Sequence, residues 1–268
     1  GTMEIELYPS GQLGSEREMI ELLQIGSLAM TKVSASPLEG FVSTMKIFNV
    51  PYLFRDQAHF YKVLDSEIGR EILASLEPAQ LLGLGYYDAG SRSFYTTKKP
   101  VESPADLANL KIRVQESQAA MSMIRALGGN PTPIAWGELY TALQQGVVEG
   151  AENNPPSFYL SRHYEVSPYY ILDEHTAVPD VIVISRYVWQ RLTAEQQGWL
   201  QQAIDESVAF QRIQWAIDTA HALQEVKAAG VTVIEADKAQ FQAQVAPLIA
   251  ELKQGELGPL IKQIQEVQ

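Results

Sequence analysis

The chain contains no cysteine, so it is not a disulfide-stapled scaffold, and a tetrahedral zinc site would have to be built from histidines and carboxylates alone. The same absence leaves the redox compartment open. Positive charge is also scarce. Twenty Lys and Arg stand against 32 Asp and Glu, a formal net charge of −12, which excludes long-range attraction to nucleic acid or to an anionic membrane surface. Taken at face value, that sum also disfavours an anionic small ligand. No apolar run approaches the roughly 18 residues a membrane helix needs, the richest being Val181 to Ile184. No charged, then apolar, then small-residue leader stands at the N-terminus, so the expectation is that any export signal has been removed or was never present.

The usual catalytic signatures are missing as well. There is no Gly-x-Ser-x-Gly elbow, no His-Glu-x-x-His, no phosphate loop and no EF-hand loop. Gly83-Leu84-Gly85 begins like a dinucleotide fingerprint, but Asp88 occupies the place of the third glycine. His59, His163, His175 and His221 lack metal-ligand spacing. With no nucleophile and base paired in sequence, the expectation is a non-enzyme with no metal and no cofactor.

What is present is the make-up of a soluble folded protein: 268 residues, 46% hydrophobic and 19% charged, with 18 Gly and 14 Pro. That length suits one large domain or two modest ones. Met3 to Tyr8 alternates apolar and charged residues, the pattern of a strand with one wet face, and a Pro9-Ser10-Gly11 turn follows. Ser15 to Glu18 has capping-box spacing, with an apolar stripe of Met19, Leu22, Leu23 and Ile25 behind it. Strand-like Lys46–Val50, Leu81–Tyr86, Leu110–Val114 and Val181–Ser185 alternate with helical patterns at Gln57–Leu76, Gln118–Leu127 and Glu138–Gln145. The alternation predicts an α/β fold with largely parallel, buried sheets. Gly128-Gly129 and Gly146 sit where helix C-termini want glycine, so they need no phosphate-binding explanation.

Ala194 to Ala229 runs without proline, capped by Thr193 with Gln196 three residues on and stopped by Gly230. At 1.5 Å per residue this helix would be about 50 Å long, too long for a compact domain of ~100 residues, so it is expected to bend or to cross between two lobes. Its Trp199, Leu200, Ile204, Val208 and Trp215 read as packing residues. With no repeat and no low-complexity linker, two lobes would be joined by several chain crossings, a geometry suited to a hinge.

The polar residues of chemical interest fall in the middle third. Arg113 lies between Ile112 and Val114 in a strand-like run, a costly place for a guanidinium unless it meets an anion. One reading is a two-pronged clamp on a carboxylate; the other is a strand-end arginine reaching solvent or an internal acid. Both stand at this point. Arg92, after another strand, is a possible second donor or a plain loop arginine. Asn153 follows strand-like Val147-Val148, at the strand end where ligands bind in open α/β sheets, although Asn-Pro and Pro-Pro are also common turn chemistry. Trp136 is a core aromatic or a flat wall for a ring-shaped ligand.

At these residues the chain resembles the DctP-like solute-binding proteins of tripartite ATP-independent periplasmic (TRAP) transporters. The matching stretches are Tyr8-Pro9-Ser10-Gly11-Gln12-Leu13-Gly14, Pro51-Tyr52-Leu53-Phe54-Arg55-Asp56, Gly90-Ser91-Arg92, Leu110-Lys111-Ile112-Arg113-Val114, Asn130-Pro131-Thr132-Pro133 and the long run Glu138 to Asn153. Their order over nearly the whole chain carries the resemblance. It implies a two-lobed α/β periplasmic binding protein, each lobe a mixed, mostly parallel sheet flanked by helices, with the long helix spanning both. Residues 1–89 with 180–218 would form one lobe, and 90–179 with 219–268 the other.

The resemblance also implies that Arg113 makes the central salt bridge to a ligand carboxylate, that Arg92 and Asn153 assist, and that Trp136 lines the pocket. Looser analogy adds Ser34, Asp180 and, in Asp173-Glu174-His175-Thr176, Glu174. Asp180 would repel a carboxylate and so should face the hydroxyl end of a ligand. The stretches Tyr86 to Gly90, Glu152 to Phe158 and Asp173 to Thr176 lean toward members that take sugar acids, a hexuronate or aldonate, with a C4-dicarboxylate as the alternative. The expected partners are that ligand and the membrane subunits of a transporter; the chain is expected to be periplasmic, monomeric, not inserted in a membrane and without nucleic acid. Family members carry a further strand and helix ahead of the stretch matching Met3 to Tyr8. Two other readings stand beside this one: a lyase using Asp180 or His175 as base, and an interaction protein with a vestigial cleft.

Overall fold

The computed structural model describes residues 3–268. Its strands are β1 (Met30–Ser34), β2 (Leu81–Tyr87), β3 (Ser91–Thr96), β4 (Lys111–Val114), β5 (Asn130–Pro133), β6 (Gly150–Asn153), β7 (Tyr169–Ala177), β8 (Asp180–Ser185) and β9 (Thr232–Glu235). Its helices are α1 (Glu16–Gln24), α2 (Ala35–Leu38), α3 (Gln57–Asp65), α4 (Glu67–Ala74), α5 (Gln118–Ala126), α6 (Leu139–Gln144), α7 (Pro155–Leu160), α8 (Arg186–Trp189), α9 (Ala194–Ala228), α10 (Lys238–Gln254) and α11 (Gly258–Glu266).

The strands form two sheets. The smaller has the order β1-β8-β2 and the larger β5-β4-β6-β3-β7-β9. β8 is buried on both faces: Val181 and Val183 enter a core with Ile20, Leu23 and Phe48, while Ile182 and Ile184 pack under Leu200 and Ile204 of α9. That two-sided burial is why Val181 to Ile184 reads as one continuous apolar run. The larger sheet separates two further cores, one around Phe94, Ile112 and Phe241, the other around Tyr95, Phe158 and Tyr170.

The expectation of a mixed, mostly parallel sheet holds in the larger sheet, where β4 with β5, β4 with β6 and β7 with β9 run parallel and β3 pairs antiparallel with β6 and β7; it is corrected in the smaller sheet, whose two ladders are both antiparallel. The burial pattern of a central strand does not encode its neighbour's direction. Met3–Tyr8 forms no strand: it joins no ladder, and Ile5 (56% exposed) and Leu7 (81%) lie in the open. Alternation earns a strand only where an edge is there to pair with it. Lys46–Val50 lies largely within a 3₁₀ helix, Ser43–Asn49, that buries Met45, Ile47 and Phe48; a short buried apolar run fits a helical turn as well as a strand. The helix expected over Gln57–Leu76 is two helices broken at Ser66, whose hydroxyl accepts from Ile68 N at 3.2 Å. At Gly69 the two come so close that a Cβ would stand 2.0 Å from Leu64 O. The strand near Val147-Val148 begins only at Gly150, where a Cβ would meet Tyr95 O at 2.7 Å.

α9 is unbroken over 35 residues, about 50 Å. Its first half rests on the smaller sheet, where Gln201 Nε2 donates to Leu84 O (2.9 Å), and its end reaches the larger one through Leu223 and Val226. The chain also crosses between the sheets at β2–β3, at β7–β8 and after α10. After that last crossing Ile261 and Ile264 of α11 bury with Ile20 and Val181 rather than with Phe241 of α10. Side-chain bonds also tie the two halves: Glu39, after α2, accepts from Gln118 N (3.0 Å), Ala119 N (3.2 Å) and the Ser117 hydroxyl at the head of α5, and Tyr52 Oη donates to Asp173 O (3.2 Å).

Candidate ligand-binding site

The larger sheet brings Arg92, Arg113, Asn153 and Glu152 together because β4, β6 and β3 are consecutive neighbours in it. Arg113 pairs in register with Ala151, and Ser93 with Asn153.

Arg113 is 2% exposed. Its Nε donates to Ile134 O at 2.8 Å, and its guanidinium lies 5.7 Å from the centre of the Trp136 ring. Its Nη1 is buried and has no hydrogen-bond partner among the described residues. Burial pushes its pKa down, opposed by the negative groups around it, but a guanidinium stays charged in proteins. This is a desolvated cation with half its fork unused, a state that costs free energy until an anion meets it.

Arg92, also buried (4%), is already paired. Its Nε and Nη2 make a two-pronged bridge to the Glu152 carboxylate, the second contact at 2.9 Å, and Nη2 also donates to Glu152 O at 2.9 Å. Nη1 donates to Asn153 Oδ1 at 3.1 Å. Arg92 is thus no loop arginine but a buried residue of β3 bonded to an internal acid, whereas Arg113 keeps Nη1 unmet. Asn153 Oδ1 also accepts from Asn154 N at 2.9 Å, which turns Nδ2 away from Arg92.

Glu152 is the hub of a buried network. His175 Nε2 stands 3.5 Å from its Oε2, and His175 Nδ1 donates to Asp173 Oδ2 at 2.6 Å. Burial works against every charge here, yet Asp173 and Glu152 outweigh it and push the His175 imidazole up to about 9. Arg92 and His175 in turn hold the Glu152 carboxyl down at about 2. Two cations and two carboxylates thus cancel at the floor of the site. The two carboxylates favour the protonated imidazole, the form that cannot accept a proton as a general base.

The histidine has a measurable consequence. Its folded pKa of about 9 exceeds the unfolded 6.5, so its stabilisation is complete below pH 6.5 and is lost as the pH rises through 9. The melting temperature should therefore fall between pH 7 and 9.5, and His175→Gln should flatten that alkaline slope. An unchanged slope in the variant would contradict the assignment.

Trp136 is 36% exposed and stands as a wall beside Arg113. Behind it lies the His163 ring, 5.0 Å away, hydrogen-bonded through Nδ1 to Tyr95 Oη at 2.8 Å. Burial, helped by Arg113, pushes His163 down to about 4, so it is neutral and adds no charge beside the clamp.

The smaller sheet supplies an opposing group. Ser34 and Asp180 pair across β1 and β8. Ser34 is 5% exposed, and its hydroxyl donates to Gln115 Oε1 at 3.4 Å, just past β4. Asp180 is bridged by Lys32 Nζ at 2.7 Å. Glu16 Oε1 accepts from Ser34 N at 2.7 Å. The Glu16 carboxylate feels Asp180, Lys32 and Arg113; burial first, then Asp180, raises its pKa. Glu174 does not join the group. Its exposed carboxylate pairs with Lys238 at the head of α10.

Glu152 and Glu16 escape a reading of the sequence. A glutamate in a strand between Ala151 and Asn153 is the same signal as Arg113, a charge in a buried run, and it could have been read. Glu16 looks like an ordinary first-turn helix glutamate, and nothing local marks it.

The sequence model for "Bacterial extracellular solute-binding protein, family 7" (DctP) matches residues 1–255. A Salmonella typhimurium protein, "Uncharacterized protein YiiZ", is 38% identical over 255 residues, 94% of this chain and 78% of that one. A crystal structure of a TRAP periplasmic solute-binding protein from a Bradyrhizobium species, in complex with α/β-D-galacturonate, superposes with a TM-score of 0.94 at 45% identity, covering 97% of this chain and 88% of the other. A Pseudomonas putida counterpart with bound D-glucuronate gives 0.94 at 39% identity, covering 98% and 86%. Among the described residues, no helix is long and apolar enough to cross a membrane. The chain belongs to family 7 of the bacterial extracellular solute-binding proteins, the DctP-like proteins of TRAP transporters.

Proposed function

We propose that this protein captures a hexuronate in the periplasm and presents it to the membrane subunits of a TRAP transporter. The single observation that carries the ligand assignment is the buried, unpartnered Nη1 of Arg113 beside the Trp136 wall. A carboxylate there would satisfy the fork, and the sugar ring would lie along the indole. The uronates bound in the two related crystal structures support the same class. Arg92 acts in this scheme through Glu152 and Asn153, as the fixed floor that orients the Asn153 amide. Ser34 and Asp180 approach from the smaller sheet toward the hydroxyls.

In this reading residues 3–89, 180–218 and 255–268 form one lobe and 90–179 with 219–254 the other, hinged at the crossings. Closure removes water, which strengthens the ion pair and leaves polar groups unmet around a wrong ligand. Isothermal titration calorimetry with D-galacturonate, D-glucuronate, D-galactose and succinate tests the assignment. At least one uronate should bind at micromolar concentration or below, while galactose, the same ring without a carboxylate, gives no measurable heat. Equal binding of galactose, or succinate binding tighter than both uronates, would overturn it.

A further inference from the structure

We infer that Glu16 is a specificity-determining residue that restricts the site to acids with a single carboxylate and a hydroxyl-rich far end, excluding diacids of the same carbon chain. The inference rests on the clamp at Arg113 and deepens it. Three observations carry it. Glu16 Oε1 is held by Ser34 N at 2.7 Å, which fixes the side chain against the smaller sheet, while Oε2 has no hydrogen-bond partner among the described residues. Second, the groups on that side are two carboxylates, Glu16 and Asp180, against one ammonium, Lys32, and the ammonium is already bridged to Asp180 at 2.7 Å. Third, the opposite side presents the buried Nη1 of Arg113, which lacks a partner and whose charge reaches Glu16.

An ionised carboxylate only accepts hydrogen bonds. Oε2 can therefore take a hydroxyl from a sugar, and it repels a second carboxylate presented at the same place. Rejection of this kind is strong because closure buries the mismatched charges. The raised pKa of Glu16, set by burial and Asp180, agrees with a carboxylate whose surroundings already disfavour more negative charge. Lys32 does not reverse the balance, since its head is half exposed and shared with Asp180.

The test compares D-galacturonate with galactarate, the open-chain diacid of the same carbon skeleton, by calorimetry on the wild type and on Glu16→Gln, with melting temperatures measured alongside. The wild type should prefer galacturonate by roughly 100-fold or more. Glu16→Gln should weaken galacturonate about 10-fold, the loss of one charge-assisted hydrogen bond, and narrow the preference by about 10-fold or more, with the melting temperature of the unliganded protein nearly unchanged. A preference unaltered in Glu16→Gln, or wild type binding both acids equally, would overturn the inference while leaving the uronate reading in place. Wild type that binds neither uronate would overturn the functional reading, and the inference with it. Should Glu16→Gln fold poorly, Asp180→Asn must narrow the same preference; if it does not, the inference fails.

Discussion

Arg113→Ala should abolish measurable uronate binding while leaving the unliganded protein folded. Two charge-assisted hydrogen bonds contribute about 1.5–3 kcal/mol each, so their loss corresponds to roughly 10²–10⁴ in Kd at about 1.4 kcal/mol per decade. The effect on the unliganded protein should be small, because the wild type holds a desolvated guanidinium with Nη1 unmet. Removing that charge relieves a cost that offsets the lost contact with Ile134 O. Arg113→Lys should also bind poorly: an ammonium is a point charge and cannot reproduce the fork. Ligand titration and thermal melting on the same preparations separate the two effects. A variant that binds as tightly as the wild type refutes the clamp; one that melts far below it shows that Arg113 holds the fold together instead.

Glu152→Ala should have the opposite profile, a large loss of stability. The carboxylate is the shared partner of two buried cations, Arg92 and His175, and is itself 3% exposed at the side chain. Deleting it leaves the buried Arg92 guanidinium without a carboxylate and His175 with Asp173 alone, which costs about 3–5 kcal/mol. A chain of this size loses about 2–4 °C per kcal/mol, so the melting temperature should fall by roughly 10 °C. His175, still bonded to Asp173, should then lose part of its raised pKa, and the alkaline fall in stability should shift to lower pH. Urea unfolding of Glu152→Ala and of the closer mimic Glu152→Gln measures this, with Gln losing less because its amide oxygen still accepts from Arg92. No change in either would mean that the network does not hold the floor of the site.

These opposite expectations for two charges in adjacent strands mark what the sequence could and could not disclose. A charge flanked by β-branched or small buried neighbours is legible at both Arg113 and Glu152. Which charge is satisfied inside the protein, and which waits for a ligand, depends on the strand order β4-β6-β3, and that order is set by contacts distant in sequence. The sequence therefore does not disclose that Arg92 is already paired and that Arg113 is not. The long helix α9 was legible because its caps and unbroken length are local properties. Sheet direction was not, since a strand buried on both faces has the same composition beside parallel and antiparallel neighbours. Glu16 reaches the site only because Ser34 N comes within 2.7 Å of it across a turn and a strand, a tertiary fact with no local pattern.

The bulk charge of −12 is compatible with an anionic ligand on the same grounds. Surface charges are screened within about 8–10 Å in salt. At the end of the site that takes the carboxylate, the floor of two paired cations and two carboxylates is neutral and Arg113 is left over, while the carboxylates Glu16 and Asp180 stand on the far side.

A crystal structure of the protein with D-galacturonate or D-glucuronate tests the central claim most directly. The ligand carboxylate should sit on the Arg113 guanidinium with Nη1 engaged, the ring against Trp136 and the hydroxyls toward Glu16, Ser34 and Asp180, with Arg92 still bridged to Glu152. A carboxylate bound instead to Lys32, or to an Arg92 released from Glu152, with Arg113 Nη1 still unpartnered, would contradict the account.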